Sequence, residues 1–227
     1  MAKVCAVIPA FNEERTIAKV VEGVRRYVDE VFVIDDSSDD RTAEIAREAG
    51  AKVIRHKINR GVGAAQRTGY RIALMEGYDI VVQIDADGQH NPDFIPAMVD
   101  KVLGGADIVI ASRFMNESYK NYSFTRRAGI IFFTKFVSVF GGVEITDVTS
   151  GFRAYSRKAL EVLGRLPDRN WAVEQTLEAA LKGLKIEEIS AEMPPRKVGE
   201  SQFNLETFLK YPLRALESSL RVLIFRR

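Results

Sequence analysis

The first half of the chain alternates short apolar runs with longer segments in which apolar residues recur every three or four positions. The runs are rich in Val and Ile and continuous, which predicts strands buried on both faces of a sheet. The longer segments predict helices that bury one face. The predicted strands are Lys3–Pro9, Val31–Asp35, Ala51–Arg55, Ile80–Ile84 and Ile108–Ala111. The predicted helices are Glu13–Tyr27, Asp39–Ala49, Ala64–Glu76 and one that opens at Pro92 after the cap Asn91.

This alternation predicts an α/β fold, a single domain with a mainly parallel sheet and helices on both faces. In such sheets, ligands bind beyond the carboxyl ends of the strands. The loops that this rule selects are Pro9–Glu14, Asp35–Asp39, Asn59–Gly63 and Asp85–His90.

The second half is less regular. It predicts a strongly apolar helix over Arg126–Phe140, a further helix over Trp171–Lys182, and strands over Gly151–Tyr155 and Ile186–Ala191. We therefore divide the chain into a catalytic domain, 1–203, with a nucleotide-binding half (1–115) and an acceptor-binding half (116–203), and a terminal segment, 204–227.

The terminal segment predicts an amphipathic helix with cations between its leucines. Such a helix can lie in a membrane interface, and it can equally pack on the domain. Both alternatives remain open at this point.

Composition excludes several classes of function. The formal net charge is only +2, so we expect no nucleic-acid partner. Cys5 is the single cysteine, which excludes an internal disulfide and a cysteine zinc cluster and fits a reducing compartment. The sequence contains no apolar run of about 18 residues and no stretch typical of a signal peptide. We expect a cytoplasmic protein.

The segment Asp85–His90 contains the strongest candidate for a metal site. If it is extended, Asp85 and Asp87 share one face, and Gln89 adds a third oxygen. Oxygen ligands at a strand end suit Mg²⁺ or Mn²⁺ bound together with a substrate phosphate. A plain polar loop is the alternative.

Two further segments carry candidate ligand contacts. In Asp35–Asp40 we expect Ser38–Asp40 to cap the next helix, while Asp35 or Asp36 faces a ligand. The loop Asn59–Ala65 has glycines that permit close backbone approach to an anion, although a tight turn explains it equally well. His56 and His90 have no partner pattern, and we interpret them as structural or peripheral.

Arginines of the second half are candidates for binding phosphate, because a guanidinium donates in pairs and keeps its charge. Arg113 and Arg153 stand out, since each follows or lies within an apolar strand-like segment. The full set is Arg113, Arg126, Arg127, Arg153 and Arg196.

Taken in order, these segments resemble the inverting family 2 glycosyltransferases of the GT-A fold. Later segments resemble dolichol-phosphate mannose synthases and related polyprenyl-phosphate hexosyltransferases. The matching segments are Val7–Glu14, Val33–Asp39, Asp85–His90, Ala111–Phe114 and Thr146–Arg153.

The resemblance implies a role for individual residues. The nucleotide site would contain Pro9, Phe11, Glu13, Asp36 and Asp85. Asp85, Asp87 and Gln89 would form the metal site for Mg²⁺ or Mn²⁺. The acceptor phosphate would contact Arg113, one of Arg126 and Arg127, and Arg196. The predicted catalytic residues are Asp87, Arg113 and Arg153.

The resemblance also implies an activity, the inverting transfer of a hexose from a nucleotide sugar such as GDP-mannose or UDP-glucose to dolichyl or polyprenyl phosphate. Such an enzyme would be peripheral on the cytoplasmic face of a membrane, with a homo-oligomer or a separate membrane-anchoring partner as further expectations. The alternatives are a glycosyltransferase with a soluble or protein acceptor in cell-envelope polysaccharide synthesis, a sugar-phosphate nucleotidyltransferase and a catalytically silent binding partner. A hydroxyl acceptor would need a base, for which Asp147 and Glu174 are candidates.

Overall fold

The computed structural model describes residues 2–115, 119–120, 122–163, 171–193, and the single residues Glu217 and Val222. A seven-stranded sheet runs through both halves of the sequence. Its strands are β1 (Val4–Ala10), β2 (Glu30–Asp35), β3 (Lys52–Arg55), β4 (Ile80–Gln83), β5 (Ile108–Ser112), β6 (Arg153–Ser156) and β7 (Ile186–Ser190).

The strand order is β3-β2-β1-β4-β6-β5-β7. All neighbouring pairs are parallel except those of β6, which runs antiparallel to both β4 and β5. Since β6 lies between two strands of the first half, the two halves of the sequence share one sheet. The predicted α/β class and the mainly parallel sheet are therefore confirmed.

Helices cover both faces of the sheet and bury separate apolar clusters. One cluster contains α1, α2 and α4 residues, the opposite one contains α3 and α6 residues, and a third joins α5 to α7. The helices are α1 (Ile17–Val24), α2 (Thr42–Glu48), α3 (Val62–Met75), α4 (Ile95–Leu103, after a 3₁₀ turn Pro92–Phe94), α5 (Phe124–Gly141), α6 (Arg157–Val162) and α7 (Trp171–Leu181).

Two helices begin later than the sequence predicts, and local hydrogen bonds explain why. The backbone N–H of Glu13 donates to the Thr42 hydroxyl (2.8 Å), which ties the start of the first predicted helix to the first residue of α2. Of the predicted capping residues Ser38–Asp40, Asp40 accepts from the Thr42 N–H (2.9 Å), and α2 starts at Thr42. The sequence analysis also missed α6, a short helix that Ser156 caps by accepting from Ala159 N–H.

Of the terminal segment 204–227, the structure describes only Glu217 and Val222, both helical. Glu217 is exposed, whereas Val222 is buried among Phe133, Val137 and other residues of α5 and α7. At this position the segment packs on the domain. The rest of the predicted amphipathic helix lies outside the described residues, and the predicted domain division stays a prediction. In the described part of the chain, no helix is long and apolar enough to cross a membrane.

Candidate active site

The loops selected from the sequence meet at the carboxyl edge of β1, β2 and β4. Asn12 N–H donates to the Ser38 hydroxyl (3.0 Å), and the Asn12 side chain accepts from Asp39 N–H (2.8 Å). Asp36 N–H donates to the carbonyl of Ala10 (2.8 Å). The first two loops are thus bonded to each other into one surface.

Backbone conformation marks the same surface. Asn12 (φ 55°) and Ser37 (φ 70°) are the non-glycine residues with positive φ in the described chain. That conformation is uncommon for L-residues and is held by surrounding bonds, which for Asn12 are those to the second loop. Such held conformations often occur at functional sites.

The nucleotide-site residues predicted in the first loop occupy this edge. Pro9 is buried in β1, Phe11 is partly exposed just beyond it, and Glu13 is buried. The Glu13 carboxylate accepts from the Thr16 hydroxyl at 3.2 Å. Asp35 points inward, where it accepts from Ser38 and pairs with Arg55.

Asp36 is buried and fully engaged by protein donors. Its carboxylate accepts from Arg60 N–H (3.0 Å), from Gly61 N–H (2.7 Å) and from His56 Nδ1 (2.7 Å). The loop before α3 therefore directs these two backbone N–H groups to a carboxylate of the protein itself. Of the two alternatives left open for this loop, an anion site and a tight turn, these contacts favour the turn at Arg60 and Gly61.

Asp85 lies just beyond β4, and its side chain is 37% exposed. His90 contacts its carboxylate (Nε2 to Oδ2, 3.1 Å), and Gly151 packs against it so closely that a side chain there would clash. Burial raises the pKa of Asp85, but the hydrogen bond with His90 and the positive charges of Arg113 and Arg153 outweigh it. The net pKa lies below the ordinary value, so Asp85 is a carboxylate at neutral pH.

The geometry of the metal-site segment differs from the one assumed in the sequence analysis. Strand β4 ends at Gln83, and Ala86 and Asp87 form a turn, so the alternation of an extended strand does not apply. Asp87 accepts from Gln89 N–H (3.0 Å) across this turn.

The oxygen atoms of Asp85, Asp87 and Gln89 fit a hard divalent cation chemically. Within the described residues, however, no group of three or more His, Cys, Asp and Glu side chains is arranged to hold a metal ion. Substrate oxygens would have to complete the coordination shell, as is usual for Mg²⁺.

Arg113 is buried and forms a two-pronged ion pair with Asp147, Nε to Oδ2 at 2.5 Å and Nη2 to Oδ1 at 2.6 Å. Burial lowers the pKa of Arg113, but the charge of Asp147 raises it by more, so the net pKa lies above the ordinary value. The same contact depresses the pKa of Asp147, although burial acts in the opposite direction. The Asp147 carboxylate is bound by Arg113 on both oxygens, which makes it a weaker base than an unpaired carboxylate.

Arg113 and Arg126 lie against the same aromatic ring. Their guanidinium carbons are 5.4 Å and 4.1 Å from the ring centroid of Tyr122, within the range of cation–π contact. Partial burial lowers the pKa of Arg126, and Asp87 acts in the opposite direction, so the metal-site turn and this arginine pair interact electrostatically. The Nε of Arg127 is buried with no hydrogen-bond partner among the described residues. Arg196 lies outside them.

Arg153 is fully buried rather than open to a substrate. It donates to the carbonyls of Ser150 (2.8 Å) and Val148 (2.7 Å) and to the Thr176 hydroxyl (2.9 Å), and it stacks on Trp171. These contacts hold the segment that carries Asp147. They support a positioning role, while the catalytic role predicted for Arg153 stays a prediction.

Sequence reasoning missed residues whose contacts define the site. His90 had a usable signal, since it closes the same six-residue motif as Asp85. Gly151 gave none, because its partner Asp85 is distant in sequence, whereas Tyr122 lies only four positions before Arg126 and was overlooked. His56, interpreted as structural, proves to contact the predicted nucleotide-site residue Asp36.

Comparison with known proteins bears on the chemistry of this surface. The glycosyl transferase family 2 model matches residues 5–164. The UDP-N-acetylglucosamine–dolichyl-phosphate N-acetylglucosaminyltransferase of Methanococcus voltae is 36% identical over 177 residues, covering 69% of this chain and 70% of that protein. The polyprenol monophosphomannose synthase of Mycolicibacterium smegmatis is 28% identical over 232 residues, covering 95% and 86%.

Among solved structures, glucosyl-3-phosphoglycerate synthase from Mycobacterium tuberculosis, in complex with Mn²⁺, uridine diphosphate and phosphoglyceric acid, has a TM-score of 0.76 to this chain. The two sequences are 22% identical, and the match covers 96% of this chain and 78% of that one. This likeness concerns the fold, which is GT-A. Because the family model covers more than half of the sequence, the chain belongs to glycosyltransferase family 2.

Proposed function

We propose that the protein transfers a hexose from a nucleotide sugar to dolichyl or polyprenyl phosphate, with inversion at the anomeric carbon. The relative from Methanococcus voltae is an N-acetylglucosaminyltransferase that acts on dolichyl phosphate, and the relative from Mycolicibacterium smegmatis is a synthase of polyprenol monophosphomannose. The observation that carries the proposal for this chain is the arginine pair on Tyr122, which interacts electrostatically with the metal-site turn. A cationic surface beside a predicted diphosphate site suits a second, phosphorylated substrate.

On the donor side, Asp87 and Gln89, with Asp85 behind them, would hold Mg²⁺ or Mn²⁺ on the diphosphate. A bound divalent ion supplies Lewis-acid stabilisation of the charge that develops on the leaving nucleoside diphosphate. His90 keeps the Asp85 carboxylate oriented and ionised for this task. Pro9, Phe11, Glu13 and Asp36 would form the wall for the nucleoside.

On the acceptor side, an oxygen of the lipid phosphate attacks the anomeric carbon as the bond to the diphosphate breaks. A phosphate monoester is already an anion near neutral pH, so the reaction needs no general base. Arg126 would bind this phosphate, with Arg113 adding charge from its ion pair. Binding both substrates in line lowers the entropic part of the barrier.

A membrane contact is part of the proposal, and α5 supports it. This helix begins beside the arginine pair and exposes large apolar side chains along its length, with Lys135 among them. They are Phe124 (75% exposed), Ile131 (43%), Phe132 (57%), Val139 (77%) and Phe140 (51%). An apolar stripe with cations suits the interface of an anionic bilayer, where the acceptor lipid resides. We propose peripheral association with the cytoplasmic leaflet through α5.

A donor and acceptor screen tests the function. The purified protein is incubated with UDP-glucose, UDP-N-acetylglucosamine or GDP-mannose, Mg²⁺ or Mn²⁺, and undecaprenyl phosphate or 3-phosphoglycerate. We expect glycolipid and nucleoside diphosphate in equal amounts with one donor. Transfer to 3-phosphoglycerate alone would indicate a soluble acceptor, released pyrophosphate a nucleotidyltransferase, and binding without turnover a silent partner; each of these would overturn the proposal.

A further inference from the structure

His56 connects two elements that sequence reasoning left separate. Its ring is nearly buried, with a side-chain exposure of 9%, and contacts a polar group at each nitrogen. Nδ1 lies 2.7 Å from Oδ1 of Asp36, and Nε2 lies 2.9 Å from the hydroxyl oxygen of Thr68 on α3. Its own backbone N–H donates to the carbonyl of Asp35, which fixes the ring beside the end of β2.

These contacts determine which ring nitrogen carries a proton. A carboxylate is only an acceptor, so Nδ1 must donate to Asp36. The Thr68 hydroxyl is also 3.0 Å from the carbonyl of Ala64 and can rotate its hydrogen towards either neighbour. In a neutral ring Thr68 donates to Nε2, and in a charged ring it accepts from Nε2 and donates to Ala64. The Nδ1–H bond to Asp36 therefore persists in both protonation states.

The position of the Asp36 carboxylate in turn fixes the backbone at the start of α3. Gly61 is the N-cap residue of that helix and adopts φ 93°, ψ 159°, a conformation that favours glycine but provides no capping side chain. The Asp36 carboxylate binds the N–H groups of Arg60 and Gly61, and it thereby fixes the backbone that leads into the helix. It also places a negative charge near the positive end of the helix.

We infer that His56 is a positioning residue for the nucleotide-sugar donor. Through Nδ1–H it fixes the Asp36 carboxylate, which fixes the Arg60–Gly61 backbone, so that one wall of the donor site is rigid before the donor arrives. This inference rests on the proposed function. Without the ring, Asp36 loses one of its three donors, and the loop before α3 must be ordered by the donor itself. The free energy needed to order this loop then weakens donor binding and does not slow the chemical step.

The test uses three substitutions of His56 in the full-length protein. His56→Ala should raise the KM for the nucleotide sugar by about tenfold or more, the usual loss for a hydrogen bond to a charged group, while kcat changes by less than about twofold. His56→Asn should restore most of the affinity, because its amide nitrogen occupies the position of Nδ1. His56→Gln extends its amide towards the position of Nε2 and should restore little. Lys57→Ala, at the exposed neighbouring position, should match the wild-type protein.

A second measurement is independent of activity. Nitrogen-15 NMR of the two histidines should show His56 protonated at Nδ1 at every pH at which the protein is folded. A neutral ring protonated at Nε2, or equal donor KM values for the Asn and Gln variants, would overturn the inference. If His56→Ala does not fold, the Asn–Gln comparison carries the kinetic test.

Failure of the proposed function has a different signature. It appears in the wild-type protein, as no turnover and no calorimetric binding of nucleoside diphosphates, and it would remove both proposals. Failure of the His56 inference appears only in the variants, measured against an active wild-type protein.

Discussion

The proposed donor edge and the proposed acceptor region contain opposite charges, which are bound in different ways. At the donor edge, Asp36 and Asp85 are held by backbone N–H groups and by histidines. In the acceptor region, Arg113 forms an ion pair with Asp147, while Arg126 stacks on Tyr122 and keeps part of its side chain accessible to solvent. The donor edge is thus preorganised by many short contacts, whereas the acceptor region divides its two arginines between structure and binding.

This difference follows from which elements carry each set of residues. The proposed donor edge uses loops that follow strands β1, β2 and β4, whose positions are fixed by the sheet. The proposed acceptor region uses Arg113 just after β5, the start of α5 and the segment before β6. Substitutions should therefore separate into those that abolish chemistry, those that unfold the acceptor region and those that only weaken acceptor or membrane binding.

The largest effect is expected at the donor edge. Asp87→Ala should lower kcat by roughly a thousandfold, because the Lewis-acid stabilisation of the leaving diphosphate is lost. Thermal unfolding should change little, since Asp87 lies in a surface turn. The matched control is Asp100→Ala, which removes an exposed carboxylate from α4. Wild-type activity that survives excess chelator would show that the reaction does not need the metal.

The two arginines on Tyr122 should behave differently from each other. Arg113→Ala leaves Asp147 buried and unpaired, so the free energy of unfolding should fall by about 3–5 kcal/mol. Arg126→Ala should cost less than about 1 kcal/mol of stability but raise the KM for polyprenyl phosphate several-fold. Denaturant titration and acceptor kinetics on both variants separate the two roles. If Arg113→Ala keeps its stability and loses only acceptor use, Arg113 is also a binding group, and the two arginines do not differ in role.

Much of this organisation was accessible from the sequence, because it follows from periodicity. Continuous Val and Ile runs located strands β1 to β5, and the rule for carboxyl ends selected the loops that proved to be bonded together. The Arg113–Asp147 pair was not accessible. Its members are 34 residues apart, and only the antiparallel insertion of β6 beside β5 brings their segments together.

Local patterns also misled in two loops. The acids after β2 predict a helix start at Asp39, but the Thr42 N–H donates to Asp40 and α2 starts at Thr42. The glycine loop before α3 is compatible with an anion site, but the Gly61 N–H binds Asp36, 25 residues earlier and just beyond β2. This second pairing joins a buried carboxylate to a distant loop, and it cannot be predicted from spacing alone.

Low pH should show how much the ion pair between Arg113 and Asp147 stabilises the fold. The pKa of Asp147 is depressed in the folded protein, so its ionised form stabilises the fold. That stabilisation is complete above the unfolded carboxyl pKa of about 3.9 and is lost as the pH falls through the lower folded value. We expect the free energy of unfolding, measured by urea titration, to fall as the pH is lowered below about 4. Arg113→Ala should show a smaller drop, because its Asp147 has already lost its partner; an equal drop would assign the effect to other carboxylates.

The smallest effect is expected at the membrane, and it tests whether the exposed stripe of α5 contacts lipid. Phe124→Ser combined with Val139→Ser removes its two most exposed apolar side chains, each more than 70% accessible. Partitioning onto anionic liposomes should fall several-fold, since the two side chains, when only partly inserted, together contribute about 1 kcal/mol of transfer free energy at roughly 25 cal/mol per Å² of apolar area. The control pairs Met75→Ser with Leu103→Ser, which are comparably exposed (82% and 61%) on α3 and α4. Binding by the α5 variant should also remain salt-sensitive, because Arg126, Arg127 and Lys135 are retained.

Equal losses in both double variants would mean that lipid contact is nonspecific. Unchanged binding by the α5 variant would indicate that the apolar face of α5 contacts a protein partner and not lipid. The acceptor lipid would then have to reach the arginine pair from another side.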